Sequence, residues 1–440
     1  MRLPNWSRNL LDRRRRNRER SARQELFAPV RLSLRKLEER RVLDVSAAFM
    51  TGTGILELDI TNTSDVATLQ DSGGNVSIRD SANNVVDING PGAPPIAWTD
   101  VKRIVVKGDG AAEQKVVFDT PPLLLAEGLA VDSEIEVSVL TSSITSGASI
   151  TLGSDVILEN DITLVGTNLT FGGSIDSQLN ALQNLTLNAG VGSITFNGDI
   201  GSNLNLASLG TLDIQRADSG VTFGDSAVVR SIKTERPITI GSTEIIGGVG
   251  VVFDGGASGT EITTTNDKVT INGATVLRSD LSINTGSKGG DILFTDAASI
   301  DSESGETNDL GLDAGEGSVY FNRDIGNNEA IGKLTITRAV GGVTIGDASA
   351  VTKVLALNGI DIGVGINAIG GSGIVLNGGT STLTLETNNA NIRLNGPTTL
   401  ASSVLFDTGA GVGNVTLTND TPVNSAARSE ERRVGKECVR

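Results

Sequence analysis

The chain has 440 residues, 54 of them Gly, with 3% aromatic side chains, no His and one Cys. Without His, Ser-His-Asp triads, Cys-His pairs and imidazole-ligated zinc or iron sites are excluded. Charge is unevenly placed: residues 1–41 carry 14 Lys+Arg against 5 Asp+Glu and residues 428–440 carry 5 against 3, leaving 17 − 44 = −27 between them. Such an acidic body repels nucleic acid and anionic membranes.

The basic head comes first in the chain. It contains the run Arg13–Arg16 and then Leu37-Glu38-Glu39-Arg40-Arg41-Val42-Leu43. A secretory signal needs an apolar core of about 7–15 residues after its basic start, and none is present. No stretch approaches the roughly 18 apolar residues of a spanning helix. Leu37, Glu38, Arg40, Val42 and Leu43 resemble the LEPR-xLL motif that opens many large surface proteins of planctomycete bacteria, with departures at Glu39 and Arg41. The resemblance implies a sorting or export element over residues 1–48, and therefore a secreted or cell-surface location.

Residues 49–147 carry strand-like runs at Ile55–Ile60, Val76–Arg79, Arg103–Val106 and Lys115–Phe118, with Pro91, Pro94 and Pro95 between them. Proline interrupts ladders. This stretch is expected to be a divergent cap, because the end of a stacked β structure must be blunted against edge pairing.

Residues 148–427 contain an internal repeat. Leu187–Gly201 aligns with Leu312–Gly326 at an offset of 125, Gly220–Asp225 with Gly342–Asp347 at 122, and Gly248–Gly256 with Gly371–Gly379 at 123. The copies are placed at about 148–266 and 267–390, with a partial copy at 391–427. Within each copy, three to five β-formers alternate with Thr or Ser and end in Gly, Asn or Asp, as in Ile150-Thr151-Leu152 and Leu169-Thr170-Phe171. Alternation of period two buries one face and leaves the other wet.

Strands this short bury a core only when stacked. The fold expected is all-β: a right-handed parallel β-helix or solenoid built from repeats of roughly 123 residues, with a string of β-sandwich domains as the alternative. Three beats per coil predict roughly 20 residues per coil, about 14 coils and a rod near 70 Å for residues 148–427. The core is expected to hold Ile194, Phe196, Leu212, Ile214, Val221 and Phe223, with Thr195, Asp213 and Thr222 outside. An open final coil predicts end-to-end self-association.

The segment Phe196–Gly201 followed by Leu206-Ala207-Ser208-Leu209 resembles a recurring beat of filamentous-haemagglutinin-like surface proteins. That resemblance implies a long structural or adhesin-like fibre, contacting a surface ligand, an envelope component or another protein. The alternative is a β-helix polysaccharide lyase or glycosidase, for which paired carboxylates suffice. Asp199/Asp225 and Asp324/Asp347 recur in register and are the candidates, yet Asp and Asn that recur in every copy ordinarily bond their own turns. No catalytic residue, cofactor or metal is assigned. Gly247–Val252 and Gly370–Val375 begin a calcium-binding G-G-x-G-x-D turn, but Val252 and Val375 replace the ligand Asp.

Residues 428–440, which include the only Cys, Cys438, break in composition from everything before them. They resemble the translation of a sequencing adapter. They are expected to lie outside the fold and to mark the chain as a fragment of a larger protein.

Overall fold

The structure, a computed structural model, describes residues 45–417 and 424–425, except 204, 226, 348–350, 366 and 367. Short strands stack in parallel on three faces, visited in the order face 1, face 2, face 3. For example, Gly128–Val131, Ile135–Val139 and Ser143–Ser146 are followed by Ile150–Leu152, Val156–Leu158 and Ile162–Val165. Each of the second three pairs in parallel with its counterpart in the first. The chain is thus a parallel β-helix. Face 3 alone is a continuous ladder of thirteen strands. Its twelve steps, at about 4.8 Å each, span roughly 58 Å.

The first strand, Val45–Met50, begins inside the segment assigned to the head. It doubles back antiparallel on Ile55–Ile60, and Val76–Arg79 does the same on Val66–Asp71. These two strands cover the starting edges of faces 1 and 2, which would otherwise offer unpaired N–H and C=O groups. Face 3 starts one coil later, at Leu123–Leu125, directly after Pro121 and Pro122. The ladder crosses residue 148 without a break, since Ile150 pairs with Leu129.

Packing follows the period-two pattern. Ile194, Phe196, Leu212, Ile214, Val221 and Phe223 are buried, while Thr195, Asp213 and Thr222 point outward and are half-buried between neighbouring coils. Phe171, Phe196, Phe223 and Phe253 stack along face 1 with ring centroids 5.1, 4.8 and 5.1 Å apart. Outside them runs a ladder of Thr151, Thr170, Thr195 and Thr222. Apolar stacking inside and β-branched pairs outside stabilise the same coils.

Coil length differs from the expected 20 residues. Beyond residue 148, paired residues are separated by as few as 19, from Ile150 to Leu169, and as many as 32, from Ile360 to Ile392. Eleven of the thirteen face-3 strands fall in 148–427, not fourteen, so that stretch rises about 50 Å rather than 70. The corners account for this, because they absorb loops such as Gly201–Gly210 and Glu303–Asp309 without disturbing the ladder.

The repeat is also not a whole number of coils. From Ile194 the face-1 ladder passes Val221, Val251, Thr275 and Ile300, four full turns. The chain then crosses face 2 at Leu310 and reaches Val319, the repeat equivalent of Ile194, on face 3. One copy therefore makes four and two-thirds turns, and 123 residues over that number is about 26 per coil. Every face-1 strand of the first copy from Leu169 onward has its equivalent on face 3, face 3 maps to face 2, and face 2 to face 1. The phenylalanine spine moves accordingly: Phe294 and Phe321, equivalents of Phe171 and Phe196, stack at 5.3 Å on face 3.

Candidate functional site

Corners and outward faces are the surfaces available for function, and the in-register polar residues concentrate at the corners. Asp199 Oδ1 accepts the N–H groups of Arg230 (2.8 Å) and Ser231 (3.1 Å) from the next coil. Asp324 Oδ1 likewise accepts from Thr352 (2.6 Å) and Lys353 (3.0 Å). Asn197 and Asn322 each accept the backbone N–H of the second member of the pair, Asp225 (3.2 Å) and Asp347 (3.0 Å). Of the recurring pairs suggested by the sequence, Asp199 and Asp324 thus bond backbone amides of the next coil, and Asp225 and Asp347 are held through their own backbone N–H groups.

The same logic covers the rest of the beat. Ile200 and Ile325 are buried and form single-residue bridges between the coils on either side, in place of full strands. Gly201 and Gly326 follow at φ +64° and +66°, and a Cβ there would lie 2.1 and 2.2 Å from the carbonyl oxygens of Lys233 and Leu355. Only glycine fits such a position. Asx turns recur with the repeat: Asn188 and Asp313 accept from Gly190 and Gly315, Asn284 and Asp407 from Gly286 and Gly409, all at 2.9 Å. Corner threonines do the same in donor form, Thr285 Oγ1 to the Gly290 carbonyl (2.7 Å) and Thr408 Oγ1 to that of Gly413 (3.1 Å).

The Asp176 carboxylate is fully enclosed. Asp176 accepts from the Asn203 N–H (3.0 Å) and from Ser174 Oγ (2.9 Å), tying down the long corner loop of the following coil. Burial pushes its carboxyl above the usual range, and these hydrogen bonds only partly oppose that.

Five adjacent coils of face 2 contribute to a groove of about 580 Å³ with a mixed polar and apolar lining. Glu261, Ser282, Gly311 and Thr335 pair in register across it and form its floor. Arg230, Asp280 and Asp309 line it at the preceding corner. Asp280 Oδ1 accepts the Asp309 N–H (2.8 Å), and Asp309 Oδ1 accepts that of Lys333 (2.7 Å). Partial burial, followed by the charge of Asp280, raises the Asp309 carboxyl above its ordinary value. Sequence reasoning missed this groove, because its floor residues are 21 to 29 positions apart in the chain.

The sorting residues Leu37, Glu38, Arg40, Val42 and Leu43 lie outside the described residues, as does Cys438. Among the described residues, no group of three or more Asp, Glu, Cys or His side chains is placed to hold a metal ion, and no helix is long and apolar enough to cross a membrane. In the two glycine-rich turns, Val252 is buried and Val375 half-buried. No protein-family model, curated protein or solved structure matches the chain.

Proposed function

We propose that this chain is a non-enzymatic structural or adhesin-like part of a secreted or cell-surface fibre. One observation carries the proposal: of the carboxylates that recur in register, Asp199 and Asp324 each commit Oδ1 to two backbone amides of the next coil. A general acid or nucleophile needs its oxygens free for substrate. A repeat whose polar residues serve its own stacking is suited to length and rigidity, which a surface fibre requires.

Incubation with a panel of polysaccharides, followed by assay of reducing ends and unsaturated products, is expected to give no turnover. Depolymerisation by the wild-type chain that disappears in an Asp199→Asn/Asp324→Asn variant would overturn the proposal in favour of a β-helix glycosidase or lyase.

Delivery to the surface is assigned to the basic head by its LEPR-xLL-like segment. Replacing Leu37, Leu43 and Arg13–Arg16 should leave the protein in the cytoplasmic fraction of the producing cell. Unchanged surface delivery of that variant would remove the head from the account.

A further inference from the structure

We propose that the face-2 groove is a binding site for a neutral, hydroxyl-rich glycan lying along the solenoid axis. The inference rests on the surface-fibre reading above and names the class of ligand.

Two parallel rows of polar groups define the groove. On the floor, Glu261, Ser282, Gly311 and Thr335 occupy directly paired positions on four successive strands. Their chain neighbours Ile262, Leu281, Leu310 and Leu334 are buried, although Leu281 and Leu310 still contribute to the lining, which is mixed polar and apolar. Along the corner, Arg230, Asp280 and Asp309 each immediately precede a strand start. In this corner row Gly259 stands between Arg230 and Asp280, whereas the floor row advances by one coil at each residue, about 4.8 Å. That step is comparable to the length of one sugar ring in an extended glycan.

The chemistry separates a glycan from other polar ligands. Sugar hydroxyls donate to carboxylates and accept from guanidinium and hydroxyl groups, and all three kinds line this groove. An anionic ligand would meet Glu261, Asp280 and Asp309 against the single cation Arg230. A basic peptide would meet the guanidinium of Arg230 in the same groove. A neutral polyol meets like charge in neither case and can donate to the carboxylate oxygens of Asp280 and Asp309 that are outside the backbone hydrogen bonds.

Gly311 leaves the middle of the floor open. A Cβ built there has no neighbour closer than 3.9 Å, and the residue's φ is not positive, so a larger side chain would fill the groove without straining the strand. This allows the site to be blocked without disturbing the core.

The test applies the full chain, as wild type and as Gly311→Phe, Asp280→Asn and Thr195→Ser, to an array of immobilised neutral and acidic oligosaccharides, with oligo-lysine spotted alongside. Circular dichroism and thermal melts confirm that each variant is folded. The expected result is binding to at least one neutral oligosaccharide, weakened at least tenfold by Gly311→Phe, weakened by Asp280→Asn and unchanged by Thr195→Ser on face 1. Absence of glycan binding, glycan binding indifferent to Gly311→Phe, or preferential binding to oligo-lysine or acidic glycans would each overturn the inference. A chain that reaches the surface but binds no glycan refutes the groove alone, whereas one retained in the cytoplasm refutes the surface reading.

Discussion

Asp199 holds the amides of Arg230 and Ser231, a residue pair more than thirty positions ahead. Such a clamp stabilises because an unmade bond to a partly buried amide costs about 1–3 kcal/mol. Asp199→Ala is therefore expected to lower the unfolding free energy from urea titration by about 1–3 kcal/mol, whereas Asp199→Asn, which keeps an acceptor oxygen, should be close to neutral. Equal effects of the two substitutions would show that the charge, not the acceptor, matters. Asp176 gives a pH-dependent counterpart. Its folded pKa lies above its ordinary value of 3.8, so its contribution to stability is fully present below that value and is lost as pH rises through the folded pKa. Asp176→Asn keeps the acceptor for Asn203 and removes the buried charge. Its melting temperature should match wild type near pH 3 and exceed it at pH 7, and a gap that narrowed with rising pH would contradict this.

At the scale of strands, alternation alone places side chains. Phe196 sits in a stack of rings and Thr195 in the threonine ladder outside it. Phe196→Ala should cost about 3–5 kcal/mol, the range for a buried aromatic truncated to Ala. Thr195→Ala should change stability by about 0.5 kcal/mol or less, as at most surface sites. Comparable losses, measured by denaturant titration of the two variants, would put Thr195 in the core. Ile194-Thr195-Phe196 could be read from sequence because the period-two signal is local, needing only three residues. The role of Asn197, Asp199 and Gly201 was half legible: their recurrence pointed to turns, but their partners, Asp225, Arg230 and Lys233, belong to the next coil and leave no local trace.

Coil closure belongs to the whole molecule, and here the sequence misled. Ile150 and Leu169 are 19 residues apart and fit the expected length, but corner loops such as Gly201–Gly210 lengthen later coils without altering the strand pattern. The groove on face 2 was invisible for the same reason, since Ser282, Gly311 and Thr335 meet only through coil closure. A repeat of four and two-thirds turns also means that equivalent residues of successive copies face different directions. A feature carried by every copy is therefore displayed around the axis rather than along one side.

Leu293 tests both the stacking and this rotation. It is the repeat equivalent of Thr170, a face-1 residue, yet it lies on face 3, directly paired with Thr270; the face-1 strand of its own coil carries Val276 instead. A disulfide requires Cα atoms about 4.4–6.8 Å apart, a range that includes the spacing of neighbouring strands. With Cys438 replaced by Ser, two double variants, Thr270→Cys/Leu293→Cys and Val276→Cys/Leu293→Cys, would be oxidised at low protein concentration and analysed by peptide mass mapping. The account predicts an intramolecular disulfide in the first and none in the second. Cross-linking of Val276 with Leu293, or of neither pair, would contradict a solenoid whose repeat turns by two-thirds of a coil beyond its fourth.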